Sequence, residues 1–154
     1  VNLPLWPANA EALAKGDKGW VERVTRRMTL LSGGTVLTVG FLFVIGGGAF
    51  LHQVTGAIPA VSTSLLLGLA VWWTLLAAAS PRFMAQNAIG YLRPQLLGWF
   101  IFLVLSLPLK VAMARWFGIA GVAWAGAVSY AVVVWPSAHI GYRRTLARFT
   151  PARM

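Results

Sequence analysis

The sequence predicts an all-α fold: a polytopic membrane helix bundle of four transmembrane helices, with an amphipathic interfacial helix before them. Three observations carry that expectation. Hydrophobic residues make up 58% of the 154 and charged residues only 10%, where soluble domains run to about 45–50% and about 25%. Long windows lack any charged side chain, namely 28–51, 53–81 and 116–138. The formal net charge of +10 comes from 13 basic residues and three acids, and most of the basic residues fall in alternate gaps between the spans. In a polar chain such an excess would indicate nucleic acid. Here it reads as orientation across a bilayer.

The elements follow in order. Val1 stands where a start Met would be expected, and residues 1–7 read as the tail of a helix that begins elsewhere. Residues 8–15 favour helix, with Glu11 and Lys15 at the supportive i,i+4 spacing. Gly16 suits a helix C-terminus and Asp17 an N-cap. Over 18–28, Trp20, Val21, Val24 and Met28 share one face and Arg23, Arg26 and Arg27 lie off it. This is the amphipathic helix, lying on the headgroups and feeding the first span. Residues 1–28 thus form a cytoplasmic connector, 29–142 the transmembrane region and 143–154 a basic tail.

Roughly 20 apolar residues cross about 30 Å of hydrocarbon, which places spans at about 29–51, 58–79, 95–114 and 117–138. Pro59 opens the second span, where a missing N–H costs little. Pro81, Asn87, Gly90 and Pro94 mark 80–94 as a compact loop. Pro108 lies inside the third span and is expected to kink it, freeing the carbonyl near Val104. Gly33, Gly34, Gly40 and Gly46 to Gly48 in the first span permit close helix approach, as do Gly118, Gly121, Ala125 and Gly126 in the fourth. Trp72, Trp73, Trp99, Trp116 and Trp135 suit an aromatic belt near the span ends.

With alternating helices, eleven basic residues fall on one side, from Lys15 through Arg82 and Arg93 to Arg153. Only Lys110 and Arg115 belong to the other. The positive-inside rule then puts both termini in the cytoplasm.

Little catalytic chemistry is available. Glu11, Asp17 and Glu22 all precede the first span, so no carboxylate pair sits in the membrane. There is no cysteine, and His52 and His139 lie at opposite ends of the spans, so no metal site is expected. Neither an enzyme activity nor a cofactor is expected. Lys110 is the one charge inside a span. Its stem can snorkel toward the nearer interface; alternatively Lys110, with Arg115, faces an aqueous cavity and attracts an anionic headgroup. Trp124 and Tyr130 lie deeper and are candidates to line such a cavity and stack on sugar rings.

The run Leu3-Pro4-Leu5-Trp6-Pro7-Ala8 with Glu11-Ala12, then Gly16-Asp17 and Trp20, resembles a cytoplasmic connector of polysaccharide flippases. These are the O-antigen and lipid-linked oligosaccharide transporters of the multidrug/oligosaccharidyl-lipid/polysaccharide exporter superfamily. Asn87 with Gly90, then Phe117-Gly118 and Gly121-Val122-Ala123, is similar to that family's C-terminal half. The resemblance implies a bundle of twelve or more helices, of which this chain would supply the end of the eighth and the ninth to twelfth. It implies movement of an undecaprenyl-diphosphate-linked oligosaccharide across the bacterial inner membrane, for polysaccharide or lipopolysaccharide O-antigen synthesis. The implied partners are membrane lipids, the lipid-linked oligosaccharide and the missing N-terminal helices of the same transporter, with no nucleic acid. The multidrug branch of the superfamily, a small non-transporting scaffold or assembly subunit, and a membrane-embedded enzyme stay open as alternatives.

Overall fold

The computed structural model describes residues 4–55 and 62–148. The beginning of the short apolar stretch at 1–3, the first connection with Pro59, and residues 149–154 of the expected tail, with Arg153, lie outside the described residues, while 143–148 of that tail are helical. Every regular element among the described residues is helical.

Helix α1 spans Leu5–Ala14. It closes with a pair of reversed hydrogen bonds: Gly16 N donates to Leu13 O at 3.0 Å and Asp17 N to Ala12 O at 2.9 Å. This is the Schellman arrangement, with Gly16 at the left-handed position. Asp17 then caps the next helix, its Oδ1 accepting from Trp20 N at 2.9 Å. Lys15 and Glu11 pair at 2.6 Å, which holds the Glu11 carboxyl below its usual range and the Lys15 ammonium above its own, through their hydrogen bond. Both groups are exposed, so the pair adds little to stability.

Helix α2 is Lys18–Thr55, 38 residues without a break. The expected amphipathic helix is therefore the first three turns of the first span and not a separate element. Its face is as read: Val21 and Thr25 are buried, Val24 and Met28 half-buried, and Arg23, Arg26 and Arg27 exposed. No turn signal falls between Met28 and Thr29, so the hydrogen-bond ladder has no reason to stop there.

Helix α3, Thr63–Ala88, corrects the expected loop at 80–94. The helix runs through Pro81, and the connection shrinks to Ile89–Leu92. Pro81 has no N–H to offer the carbonyl four residues back, that of Ala77. Ser32 of α2 brings a hydroxyl to that carbonyl, its one proton shared between Ala77 O at 2.9 Å and Met28 O, on its own helix, at 2.6 Å. The helix ends at a second Schellman turn, Gly90 N to Asn87 O and Tyr91 N to Gln86 O, both 3.1 Å.

Helix α4, Arg93–Ser129, continues through one π turn, Tyr130–Val134, into α5, Trp135–Arg148. The π turn precedes Pro136; Trp135 N reaches back to Tyr130 O, five residues away, and the proline is absorbed in the wider turn. Within α4 the backbone leaves helical geometry at Gly118, with φ 61° and ψ −152°, and not at Pro108. There the chain folds back. A side chain on Gly121 would strike the Met113 carbonyl, and one on Gly98 would strike Ser137. Residues 98 and 137 would be almost 60 Å apart along a continuous helix. The limbs 93–117 and 119–148 are therefore an antiparallel hairpin.

A first hairpin, α2 with α3, closes through small residues. A Cβ on Gly33 would sit 3.1 Å from Ala78 Cβ, and one on Gly40 2.8 Å from Ala70 Cβ. Gly34, Gly46 and Gly48 meet nothing and open outward. The hairpins join through α3 and the limb 119–148, which run parallel, since Gly68 meets Trp124, Gly126 meets Trp72 and Gln86 meets Gly141. Their shared core is Ala79, Phe83, Phe102, Tyr130, Val134 and Ala138. Trp99, Phe102 and Tyr130 make mutual edge-to-face contacts at 5.5–6.1 Å. Gln86 ties the parallel pair together, its Nε2 donating to Ala138 O at 3.1 Å.

Three helical stretches are long and apolar enough to cross a membrane: 18–54, 63–88 and 93–148. The last is the one folded in two at Gly118. Their outward faces carry large apolar side chains, among them Leu30, Phe41, Ile45, Phe100, Leu107 and Ile119. Continuous apolar surface on this scale suits a lipid environment.

Candidate functional site

The hairpin order gathers one end of every limb. Lys18, Arg23, Arg26 and Arg27 open α2, Arg82 approaches the end of α3, Arg93 begins α4, and Arg143, Arg144 and Arg148 close α5. We call this the basic end. A cavity of about 670 Å³ opens in it, within the ~300–1,000 Å³ usual for ligand clefts.

Two helical stripes form its walls. On α2 these are Lys18, Glu22, Thr25, Arg26, Thr29 and Leu30; on α5 they are His139, Tyr142, Arg143 and Leu146. The spacing is the i, i+3, i+4, i+7 of one helix face. Arg82 of α3 lies between the walls. It is part-buried, donates from Nη1 to Ala78 O at 3.1 Å, and its guanidinium carbon lies 4.9 Å from the centroid of the Trp135 ring. Thr25 is 4% exposed and sits beside the Tyr142 phenol. The Thr29 hydroxyl is buried without a hydrogen-bond partner among the described residues. Four cations thus line the cavity against one carboxylate, Glu22. The other two acids are engaged elsewhere, Glu11 with Lys15 and Asp17 as a cap.

Residues singled out from the sequence lie elsewhere. Lys110 turns toward aromatic rings within the bundle. Its ammonium lies 5.1 Å from the Trp72 ring centroid and 5.8 Å from that of Phe102, two turns back along its own helix. Side chains lean toward the N-terminus of their helix, and for Lys110 that direction leads into the bundle. Trp72 Nε1, Ser129 Oγ and Tyr130 Oη are also buried without partners among the described residues. Arg115 is exposed near the Gly118 turn, so the structure does not bring it together with the basic end.

Tyr130 is fully buried in the core. Trp124 packs over Gly68 and donates from Nε1 to Ser64 Oγ at 3.2 Å. Both aromatic side chains serve helix packing, and neither lines the basic cavity. The expected aromatic belt is also redistributed: Trp72, Trp99 and Trp135 pack against the core, while Trp73 and Trp116 stay exposed. No group of three His, Cys, Asp or Glu that could hold a metal occurs among the described residues.

Sequence reasoning missed Arg82, Thr29, His139 and Tyr142 as parts of one site. The signal was present in the two polar stripes at helical spacing. Reading Arg82 as a loop residue, ending the last span at 138 and reading 143–154 as a tail hid it.

Together these features define an all-helical bundle with stretches able to cross a membrane and a cationic cavity at one end. No family model matches the chain, and neither a curated protein nor a solved structure aligns with it significantly.

Proposed function

We propose that the chain is the C-terminal part of a bacterial inner-membrane transporter that flips lipid-linked oligosaccharide for surface polysaccharide synthesis. In this reading the limbs α2, α3, 93–117 and 119–148 each cross the bilayer, and both termini are cytoplasmic. The observation that carries it is the cation-lined cavity set directly beside lipid-facing apolar helices. A carrier of diphosphate-linked lipids needs positive charge at headgroup depth and an apolar surface for the lipid tail. The resemblance at Leu3–Trp20 and at Phe117–Ala123 supports the same reading. Gly34 and Gly48, on one face of α2 with open space beside each, offer further helices of such a transporter a close approach.

The test is complementation. The gene carrying this sequence, expressed in strains lacking a lipid-linked oligosaccharide flippase, should restore surface polysaccharide in at least one matched system. Normal membrane levels with no restoration across several matched systems would refute the assignment. A scaffold would then be the better reading.

A further inference from the structure

We infer that the basic cavity is a binding site for the phosphate of an anionic lipid, seated between α2 and α5 over Arg82. The inference needs the bundle to lie in a membrane; it does not need the chain to transport anything.

Unspecific positive charge at the basic end explains exposed residues such as Arg23 and Arg27. It does not explain Arg82, which is drawn into the bundle and held by a backbone carbonyl and an indole face. A guanidinium has five N–H donors, and only one hydrogen bond from Arg82 to protein is made among the described residues. Nor does Arg82 meet a carboxylate. The donors left over face a cavity where Arg143 stands on the opposite wall and the Thr29 hydroxyl is buried with no partner among the described residues. Guanidinium groups and a hydroxyl converging on one space suit phosphate oxygens.

The cavity rim distinguishes a lipid from a free anion. Leu30, 67% exposed, and Leu146 border the same cavity. Beyond Leu30 the same exposed face of α2 continues through Leu37 and Phe41, an apolar track on which an acyl or isoprenoid chain can lie. A soluble phosphate would gain nothing from that track.

Binding can be read by native mass spectrometry of the full chain in a neutral detergent. The probes are dioleoylphosphatidylglycerol, farnesyl diphosphate, dioleoylphosphatidylcholine and inorganic pyrophosphate. Both anionic lipids should bind, and the zwitterionic lipid and pyrophosphate should be at least tenfold weaker. Whichever anionic lipid binds more tightly tells a bilayer phospholipid from an isoprenoid diphosphate as the natural source. Each cation removed should weaken binding about fivefold, so Arg82→Gln with Arg143→Gln should lose about 25-fold. Arg23→Gln with Arg27→Gln removes the same charge from outside the cavity and should change binding less than twofold. If the Arg82→Gln pair does not fold, as judged by circular dichroism, the exposed Arg143→Gln alone should still show the fivefold loss. Equal binding of phosphatidylcholine, pyrophosphate as tight as the lipids, or equal losses from the two double variants would each overturn the site. Failed complementation with intact lipid binding would remove the transport proposal and leave this one standing.

Discussion

Replacing Gly118 by Ala isolates the single backbone position on which the C-terminal hairpin turns. With φ 61° and ψ −152°, Gly118 occupies a region essentially reserved for glycine, where any other residue costs about 1–3 kcal/mol. A Cβ there would meet nothing within 4 Å, so no packing clash contributes and the whole cost is conformational. The expected loss is therefore about 1–3 kcal/mol, a factor of roughly 5–150 in the folding equilibrium. Reversible unfolding in mixed micelles, followed by tryptophan fluorescence, would measure it. Gly34→Ala is the matched control: it is helical, also has open space around its Cβ, and should gain about 0.5–1 kcal/mol. Were Gly118→Ala as stable as wild type, the chain would not reverse on this conformation. The alternative, a straight 56-residue helix, would be about 84 Å long, far beyond a bilayer core of about 30 Å.

Other perturbations probe the packing. Ser32→Ala should cost about 0.6 kcal/mol and at most about 1.7, and the loss should shrink in a Pro81→Ala background, where Ala77 O regains its helical donor; a double-mutant cycle without coupling would refute the link. Gly40→Leu should destabilise the bundle by about 1–3 kcal/mol through overpacking against Ala70, while Gly48→Leu, in open space, should be near neutral in the same unfolding assay. Lys110→Met removes a charge turned into the bundle, whose burial costs about 2.5–3.5 kcal/mol, offset by about 0.5–2 kcal/mol of cation–π attraction. The net expectation is a more stable protein, and a destabilised one would show that the ammonium is held by more than the Trp72 and Phe102 rings.

The sequence made some elements legible because their signals are local. Gly16 and Asp17 end one helix and start the next through hydrogen bonds within a few residues, and the structure makes those bonds. Stretches long and apolar enough to cross a membrane were legible because length and apolarity are properties of one segment. Pro81 misled, because a proline breaks a helix unless a donor comes from elsewhere, and Ser32 lies 49 positions away in the chain. Gly118 was read as a packing glycine, since nothing local tells a glycine at a helix contact from one at a reversal. The cavity was hidden for the same reason. Its stripes on α2 and α5 face each other only because α3 and the last limb run parallel, and that pairing is set by Gly68, Gly126 and Gln86 meeting distant partners.

That parallel pairing also orders biosynthesis. α2 and α3 can close on each other as soon as both have left the ribosome, since Gly33, Gly40 and Ser32 find their partners within that hairpin. The second wall of the cavity, His139 to Leu146, emerges after α2, α3 and α4. Until it does, Arg82 lacks the Trp135 ring and Gln86 lacks the Ala138 carbonyl. A chain halted near residue 130 would insert much of its apolar mass and still hold no basic cavity. Assembly of the candidate site therefore waits on α5, after the helices that carry most of the apolar surface have emerged.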